Sequence, residues 1–366
     1  MIKYKNIYVA ATNQHVGKTT STLGLVSCML QREINVGYCK PVGQKFLDLK
    51  NLYVDKDTLL FADLIKFDIK PDYHSPVVLP GKLVRDYIDK PQDHDFYQRV
   101  ANARKVLNQH HELTIFEGTG HPGVGSVVGL SNAEVAHALQ ASVVMILEGG
   151  IGSTIDKFHM CSAVFNQRGV PIIGVIINKI RPDKIEKVKY FLNRYFDSIN
   201  IPILGFVPYD ENLAYPLMST VANSIKGNVV ENADCLDTNR VENILSGSSV
   251  DLKELNEYQN NLIVASTRTI DRAVSRINNY SISNDVEESS VSGVIITGEG
   301  NISIEVLDFV NKHRIPLIRT NFDTFGVVIN ISKIEVKINR HTPWKIQRAI
   351  ELINSNVDLN QILRPI

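Results

Sequence analysis

The chain has no excess of either charge and few cysteines. Its 39 Lys and Arg residues balance 39 Asp and Glu residues in a chain of 366. A nucleic-acid-binding protein usually shows a basic footprint, so this balance argues against such a partner and gives no reason to expect anionic lipid. The four cysteines, Cys28, Cys39, Cys161 and Cys235, form no CxxC pair. Their spacing argues against a structural zinc site, and their positions in or near apolar runs favour buried thiols in a reducing compartment.

Long hydrophobic runs are also missing. No apolar stretch reaches the ~18 residues that would span a membrane. The first residues, MIKYKNIYVA, read as a β-strand and lack the apolar region and small-residue cleavage site of a signal peptide. We therefore expect a cytoplasmic protein that has neither a membrane nor a nucleic acid as its partner.

The N-terminal part of the chain alternates short β-branched runs with longer amphipathic stretches. The predicted strands are Ile7–Ala10, Val36–Cys39, Leu113–Glu117, Ser142–Leu147, Ile172–Ile177 and Ile203–Val207. The predicted helices are Lys18–Gln31, Phe96–His110, Asn132–Ala138, Ile155–Arg168 and Ile185–Phe196. Nearly continuous apolar strands separated by helices of this length predict an α/β fold, with a mostly parallel sheet and helices on both faces.

A composition shift follows Pro216, where residues 220–260 become rich in Asn, Ser, Asp and Glu. A second α/β pattern then begins. Its predicted strands and helices are Leu262–Ala265, Ile270–Asn278, Val294–Thr297, Ile302–His313, Pro316–Arg319 and Pro343–Asn354. At roughly 100–200 residues per domain, we predict one domain over residues 1–218 and a smaller C-terminal α/β domain over residues 219–366.

The stretch ATNQHVGKTT, between the first strand and the first helix, is a P-loop motif in the context that such a motif requires. The predicted ATP-binding residues are Thr12, Asn13, Gln14, His15, Val16, Gly17, Lys18, Thr19 and Thr20. Gly17 lets the backbone approach the phosphates, and N–H groups from Gln14 to Thr19 can form an anion-binding nest at the helix N-terminus. Lys18 can reach the β- and γ-phosphates, while the Thr19 hydroxyl can ligate Mg²⁺. The fold class is therefore predicted to be that of a P-loop NTPase.

Charged residues follow two other predicted strands. Lys40 comes directly after the second strand, where ligands bind in open α/β sheets, and a cation there can stabilise charge during phosphoryl transfer. Glu117 ends the third strand, and a carboxylate facing the P-loop suits a hard cation that carries phosphates. The weaker alternative is that Lys40 is a solvated lysine at a strand end.

Thr12 stands where the usual P-loop pattern has glycine. With the motifs GYCKPVG, YVDKDTLL, FEGTG and GVIINK in this order, the first part of the chain resembles the dethiobiotin synthetase family. It also resembles the related P-loop domain of some phosphotransacetylases and, more distantly, the cobyrinic acid diamide synthases.

The resemblance implies roles for several residues. Lys40 would lie beside the γ-phosphate, and Asp57 would join Thr19 and Glu117 as Mg²⁺ ligands, with Asp55 as the alternative to Asp57. Asn178 would read the adenine base, beside which Pro208 would pack. An Asp at a helix start also acts as a cap, and Asn178 could simply form a turn. The related synthetases assemble as dimers, so we expect a homodimer.

The chain departs from this family after Glu117, where His121 and Pro122 follow the glycines. This loop lies on the predicted substrate side, so the acceptor of the related enzymes does not carry over. His121 could contact the substrate or take part in proton transfer, or it could be an ordinary loop residue.

The second part of the chain resembles the DRTGG domain through Val221–Ser249, Ser292–Gly298 and Ile315–Thr324, although ASTR stands where the naming motif would be sought. In the family this module is thought to be regulatory.

Two functions remain open. The first is an ATP-dependent synthetase or ligase that passes the γ-phosphate to a carboxylate or carbamate of a small-molecule substrate, with Lys18 and Lys40 as catalytic residues. The second is a nucleotide-dependent regulator in which the C-terminal domain senses the state of the P-loop domain.

Overall fold

The structure, a computed structural model, describes residues 4–44, 46–48, 53–246, 259–283, 289–334 and 336–363. Residues 247–249, the end of the first stretch that resembles the DRTGG domain, lie outside these ranges. The chain forms two compact units: unit 1 comprises residues 1–210 and 338–366, and unit 2 comprises residues 211–337.

The described residues of unit 1 form ten strands. They are β1 (Asn6–Ala11), β2 (Val36–Cys39), β3 (Val42–Gly43), β4 (Phe46–Asp48), β5 (Tyr53–Asp55), β6 (Val77–Val78), β7 (Leu113–Glu117), β8 (Ser142–Glu148), β9 (Ile172–Ile180) and β10 (Ile203–Pro208). The helices before unit 2 are α1 (Lys18–Leu30), α2 (Lys56–Ile65), α3 (Pro71–His74), α4 (Gly81–Asp89), α5 (Phe96–His110), α6 (Asn132–Ala138), α7 (Gly152–Gln167) and α8 (Ile185–Ser198).

The main sheet is parallel, with the strand order β10-β9-β8-β1-β7-β2. Its strands read as apolar runs because both faces are covered. In β1, Tyr8 and Ala10 join a core that includes residues of α5, α6, α7 and α8. Ile7 and Val9 point the other way and are buried too. Helix α1 contacts β1, β2 and β7 and covers this second face, so the predicted fold class is confirmed.

The sequence missed the elements between β2 and α5. Strand β3 pairs with β6, and β4 pairs with β5. These strands are only two or three residues long, too short for an alternating pattern to show. Helix α4 does carry an apolar face, since Leu83, Val84 and Tyr87 pack partly buried against the core, but its nine residues give the helical period only about 2.5 turns in which to show.

Unit 2 has a five-stranded mixed sheet. Its strands are β11 (Asn228–Glu231), β12 (Asn243–Ser246), β13 (Asn261–Ser266), β14 (Val291–Thr297) and β15 (Leu317–Thr320), and its helices are α9 (Met218–Ser224), α10 (Ile270–Ser283), α11 (Ile304–Lys312) and α12 (Thr324–Ser332). The strand order is β11-β15-β14-β13-β12. Among the described residues of this sheet, β11 pairs with β15 in antiparallel orientation and the other neighbouring strands are parallel.

Each face of this sheet has its own apolar core. Ile263 and Ile296 pack with residues of α10 and α11. Leu262 and Ile295, one residue earlier on the same strands, pack with residues of α9 and α12. Successive side chains of β13 and β14 therefore point alternately to the two faces of the sheet, and each face packs against its own layer of helices.

The C-terminal helices α13 (Pro343–Asn356) and α14 (Asn360–Leu363) belong to unit 1, whereas the sequence placed this segment with the second domain. Helix α13 contacts α1 and β10, and its apolar residues Ala349 and Ile353 are buried. Beyond it, Val357 forms a bridge with Gly205 of β10. The structure thus divides the chain differently, since an amphipathic pattern shows that a helix needs a partner but not which one.

Among the described residues, no helix is both long and apolar enough to cross a membrane.

The packing of α13 on α1 gives a first prediction. A Cβ atom at Gly24 would lie 2.3 Å from Cβ of Ile353, so Gly24→Ala forces the two helices apart. We expect a loss of about 1–3 kcal/mol of unfolding free energy. Urea titration of both proteins measures it.

The matched control is Gly81→Ala, since a Cβ at Gly81, the first residue of α4, meets no atom within 4 Å. This variant should unfold at the wild-type urea concentration or slightly above it. Equal behaviour of the two variants would contradict the close packing at Gly24.

Candidate nucleotide-binding site

The predicted site residues lie at one edge of the main sheet. In a parallel sheet all strands end at the same edge, and ligands bind outside those ends. Strand β1 lies beside β7, which in turn lies beside β2. The loop between β1 and α1, the end of β7 and the residue after β2 therefore bring Gly17, Glu117 and Lys40 to one place.

The loop between β1 and α1 has the geometry that its glycine requires. Gly17 precedes α1 with φ 103° and ψ 31°, a left-handed conformation that glycine adopts at little cost. A Cβ atom here would lie 2.1 Å from Nδ2 of Asn178. Both the backbone and a neighbouring side chain thus demand glycine at this position.

Two residues of β9 hold this loop. Nδ2 of Asn178 donates to the backbone oxygen of Val16 at 2.8 Å, and Nζ of Lys179 donates to that of His15 at 2.6 Å. The sequence predicted Asn178 as an adenine-binding residue, and the structure places its amide nitrogen on the loop backbone. Lys179 was not singled out from the sequence. The signal that identified Lys40, a lysine at the end of a strand, is present at Lys179 as well.

The carboxylate of Glu117, at the end of β7, is fully buried. Its Oε1 accepts hydrogen bonds from Thr19 Oγ1 at 2.9 Å and from Lys40 Nζ at 2.8 Å. Its Oε2 accepts from the hydroxyl of Tyr38 at 3.3 Å. A buried carboxylate needs such partners, because burying an unpaired charge is costly. Thr19, Lys40 and Glu117, predicted from separate motifs, thus form one cluster.

Asp57 joins the cluster through Lys40. Nζ of Lys40 lies 2.9 Å from Oδ2 of Asp57, whose side chain remains 23% exposed. Asp55, the alternative predicted ligand, instead caps α2: its Oδ1 accepts from the backbone N–H of Asp57 at 2.9 Å. The structure therefore brings Asp57 to the cluster and gives Asp55 a capping contact.

Burial and charge both act on these groups. Burial raises the pKa of Glu117, and Lys40 beside it offsets part of that rise. Burial also raises the pKa of Asp55 to about 6. For Lys40, burial alone would lower the pKa, but Asp57 and Glu117 together raise it well above its usual value. Lys40 therefore keeps its positive charge at neutral pH.

Lys18 begins α1, and its ammonium lies between two loops. Nζ donates to the backbone oxygen of Gly120 at 2.6 Å and to that of Asn13 at 3.4 Å. The first of these oxygens belongs to the loop after Glu117 and the second to the P-loop. The two loops thus meet at the lysine that the motif assigns to phosphate binding.

Asn132, which the sequence did not single out, organises the loop after Glu117. This buried residue begins α6, and its Oδ1 accepts from the backbone N–H of Thr119 and from the Tyr8 hydroxyl. Its Nδ2 donates to the backbone oxygens of Thr119 and His121 at 2.9 and 2.8 Å. All four hydrogen-bonding positions of the amide are filled, so the loop has one defined course.

The other predicted residues lie around this cluster. Asn13, Gln14 and His15 are exposed, Thr20 and Pro208 are partly buried, and Thr12 and Val16 are buried. Pro208 ends β10 opposite Ile180 of β9. The side chain of His121 is exposed, and its Nδ1 accepts from the backbone N–H of Gly123 at 3.2 Å.

The donor chemistry fits a magnesium ion held together with phosphates. Mg²⁺ prefers oxygen ligands and usually takes one or two carboxylates, with water and phosphate oxygens filling the other positions. Glu117, Asp57 and Thr19 offer two carboxylates and a hydroxyl next to the N-terminus of α1, which favours phosphate. Within the described ranges, no group of three or more His, Cys, Asp or Glu side chains could hold a metal.

The parallel sheet, the left-handed glycine and the lysine at the start of α1 define a P-loop nucleotide-binding fold. The family model described as "AAA domain" matches residues 5–216, and the chain belongs to this family. The DRTGG domain model matches residues 221–334. The resemblance to dethiobiotin synthetase-like P-loop proteins and to the DRTGG domain is thus confirmed.

The chain covers different shares of the length of its relatives. Phosphate acetyltransferase of Nitrosomonas europaea is 25% identical over 248 residues, 65% of this chain and only 34% of that protein's length. ATP-dependent dethiobiotin synthetase of Bacillus subtilis is 26% identical over 229 residues, 62% of this chain and 95% of that protein. Among solved structures, MinD cell division protein of Aquifex aeolicus is 13% identical with a TM-score of 0.39, over 57% of this chain and 84% of that chain.

His74 supports the cluster from α3. Its backbone oxygen accepts from the backbone N–H of Lys40 at 2.9 Å and from Thr58 Oγ1 at 3.3 Å. Its imidazole is buried, with Nδ1 accepting from the backbone N–H of Lys70 at 3.0 Å. Burial lowers the pKa of His74 to about 4.

This pKa gives a second prediction. Between about pH 6.5 and pH 4 the unfolded chain binds a proton at His74 that the folded chain does not, so stability from this residue is present above pH 6.5 and lost on acidification. Wild type should therefore lose about 1–3 kcal/mol more unfolding free energy than His74→Gln between about pH 7 and pH 4. Urea titrations across this range measure the difference, and parallel pH profiles of the two proteins would contradict it.

Proposed function

We propose that this chain is an ATP-dependent ligase, which binds Mg·ATP and transfers the γ-phosphoryl group to a carboxylate or carbamate of a small-molecule substrate. The observation that carries the proposal is the buried contact of Lys40 with Glu117, 2.8 Å long, at the mouth of the P-loop. The match to an ATP-dependent dethiobiotin synthetase over 95% of that enzyme's length supports the same reaction class.

In this proposed reaction, the phosphate-binding loop, the two lysines and the metal ligands have separate roles. Backbone N–H groups of Gln14–Thr19 bind the phosphates, and Lys18 neutralises the β- and γ-phosphates. Lys40 stabilises the charge that develops on the transferring phosphoryl group. The proposed Mg²⁺ ligands are Thr19, Asp57 and Glu117. When bound, Mg²⁺ neutralises charge on the phosphate oxygens and orients them.

The transfer proceeds by displacement at phosphorus. An oxygen of the acceptor carboxylate forms a bond to the γ-phosphorus, the bond from phosphorus to the β–γ bridging oxygen breaks, and ADP leaves with that electron pair. A nucleophile such as an amine then attacks the acyl carbon of the mixed anhydride. Phosphate departs with the C–O bonding electrons, and the amine loses a proton.

The acceptor would bind against the loop after Glu117, which Asn132 holds in place. Thr119 lies in this loop, and its hydroxyl donates to the backbone oxygen of Val42, which ties the loop to the segment that follows Lys40. His121 is exposed beside it and is a candidate acceptor contact. A cytoplasmic location and a homodimer stay predictions.

A nucleotide-dependent switch is the second candidate. The observation that favours it is the chain order: unit 2 (residues 211–337) is inserted within unit 1. The chain that returns from unit 2 forms α13, which contacts the P-loop helix α1. In this function, slow ATP hydrolysis would determine whether the P-loop domain holds ATP or ADP, and the DRTGG domain would sense that nucleotide state.

Binding of nucleotide gives the third prediction. Lys18→Ala removes a charged donor to phosphate, worth about 1.5–3 kcal/mol, so affinity for Mg·ADP should fall roughly 10- to 100-fold. Isothermal titration measures it, with Lys189→Ala, a partly exposed lysine of α8 paired with Glu186, as the matched control. Wild-type affinity in Lys18→Ala would overturn the assignment of the P-loop.

A metabolite screen separates the two candidate functions. The wild-type chain is mixed with Mg·ATP and a library of carboxylates and amines, and ADP release is followed. A rise in ADP release with one substrate pair, absent in Lys18→Ala, supports the ligase. Tight nucleotide binding without stimulated turnover would support the switch instead.

A further inference from the structure

We propose that Tyr38 is a positioning residue for the metal site: it fixes the Glu117 carboxylate and, by stacking on Phe61, couples it to the helix that carries Asp57. This inference rests on the proposed function, since it assigns Tyr38 to the Mg²⁺ ligands of that site. Neither the P-loop motif nor the predicted ligand set includes Tyr38.

The strand register places Tyr38 beside Glu117. Tyr38 of β2 lies opposite Ile115 of β7. Side chains two residues apart on a strand share a face, so Ile115 and Glu117 point the same way, as do Tyr38 and Lys40. The hydroxyl of Tyr38 and the ammonium of Lys40 therefore approach the same carboxylate from one neighbouring strand.

The two oxygens of Glu117 have different partners. Oε1 accepts hydrogen bonds from the Thr19 hydroxyl at 2.9 Å and from the Lys40 ammonium at 2.8 Å. Among the hydrogen bonds of the described residues, Oε2 receives the Tyr38 hydroxyl at 3.3 Å. If Oε1 became the metal ligand, Oε2 would keep its hydrogen bond from the Tyr38 hydroxyl. Tyr38 would therefore hold the carboxylate in one orientation while Oε1 exchanged its hydrogen bonds for the metal.

The Tyr38 ring is itself held by α2. It stacks on the Phe61 ring with centroids 3.7 Å apart and an interplanar angle of 9°. Both side chains are almost completely buried. Asp57 lies four residues before Phe61 on α2, hence on the same helix face. One stacked pair thus connects the strand that reaches Glu117 with the helix that presents Asp57.

The test uses Tyr38→Phe in the full chain, which keeps the ring and removes only the hydroxyl. The measurement is ADP affinity without metal and across a Mg²⁺ titration. Loss of a partner of a metal ligand typically weakens metal binding about 10- to 100-fold. We expect the Mg²⁺ concentration for half-maximal enhancement of ADP binding to rise about tenfold, with metal-free ADP affinity unchanged.

Tyr87→Phe is the matched control. Tyr87 also stacks on a phenylalanine, Phe96, with centroids 5.6 Å apart, but it has no contact with the metal ligands among the described hydrogen bonds. Its Mg²⁺ requirement should equal that of wild type. Phe61→Leu, which removes the stack, should raise the Mg²⁺ requirement, and combining it with Tyr38→Phe should raise it by less than the product of the two single effects.

Three results would overturn the inference. The first is a wild-type Mg²⁺ requirement in Tyr38→Phe. The second is an equal loss of ADP affinity with and without metal, which would make Tyr38 a structural residue only. The third is a double variant whose effect equals the product of the single effects. If wild type itself binds ADP without any Mg²⁺ enhancement, the proposed function fails before the variants are compared.

Discussion

The buried carboxylate of Glu117 is the constraint on which the site depends. A fully buried charge is stable only when it is paired and hydrogen-bonded, and Glu117 meets this condition through Lys40, Thr19 and Tyr38. These partners come from the end of β2 and the start of α1, so the carboxylate joins three elements at one edge of the sheet. The charge that would bind a metal also holds the P-loop helix against its neighbouring strands.

A second constraint acts on the P-loop from β9. Asn178 and Lys179 bond to backbone oxygens of the loop, and Asn178 leaves no room for a side chain at Gly17. The loop is thus fixed before any nucleotide arrives, which lowers the entropy cost of ordering it on binding. The loop after Glu117 is fixed equally well by Asn132. Nucleotide and acceptor would therefore meet between two preformed loops.

The sequence predicted the parts of this architecture that local patterns encode. Apolar runs marked the strands of the main sheet, and strand ends marked Lys40 and Glu117. Tyr38 and Asn132 were missed because each looks like an ordinary core or helix-start residue until distant segments meet; Asn132 lies 124 positions from Tyr8, which donates to it. The sequence grouped the C-terminal helix with the second domain, whereas the structure packs it against α1 and β10, because an amphipathic pattern does not show which apolar surface a helix covers. The role of the predicted metal ligands stays a prediction.

In the proposed site, Glu117 would exchange its hydrogen bonds from Thr19 and Lys40 for a magnesium ion when nucleotide binds. A crystal structure of the chain with Mg²⁺ and a non-hydrolysable ATP analogue tests this most directly. We expect phosphates against the backbone of Gln14–Thr19 and a metal between Thr19 and Glu117, with the Tyr38 hydroxyl still hydrogen-bonded to the carboxylate. Nucleotide bound away from this loop, or metal-free nucleotide with Glu117 still paired to Lys40, would contradict it.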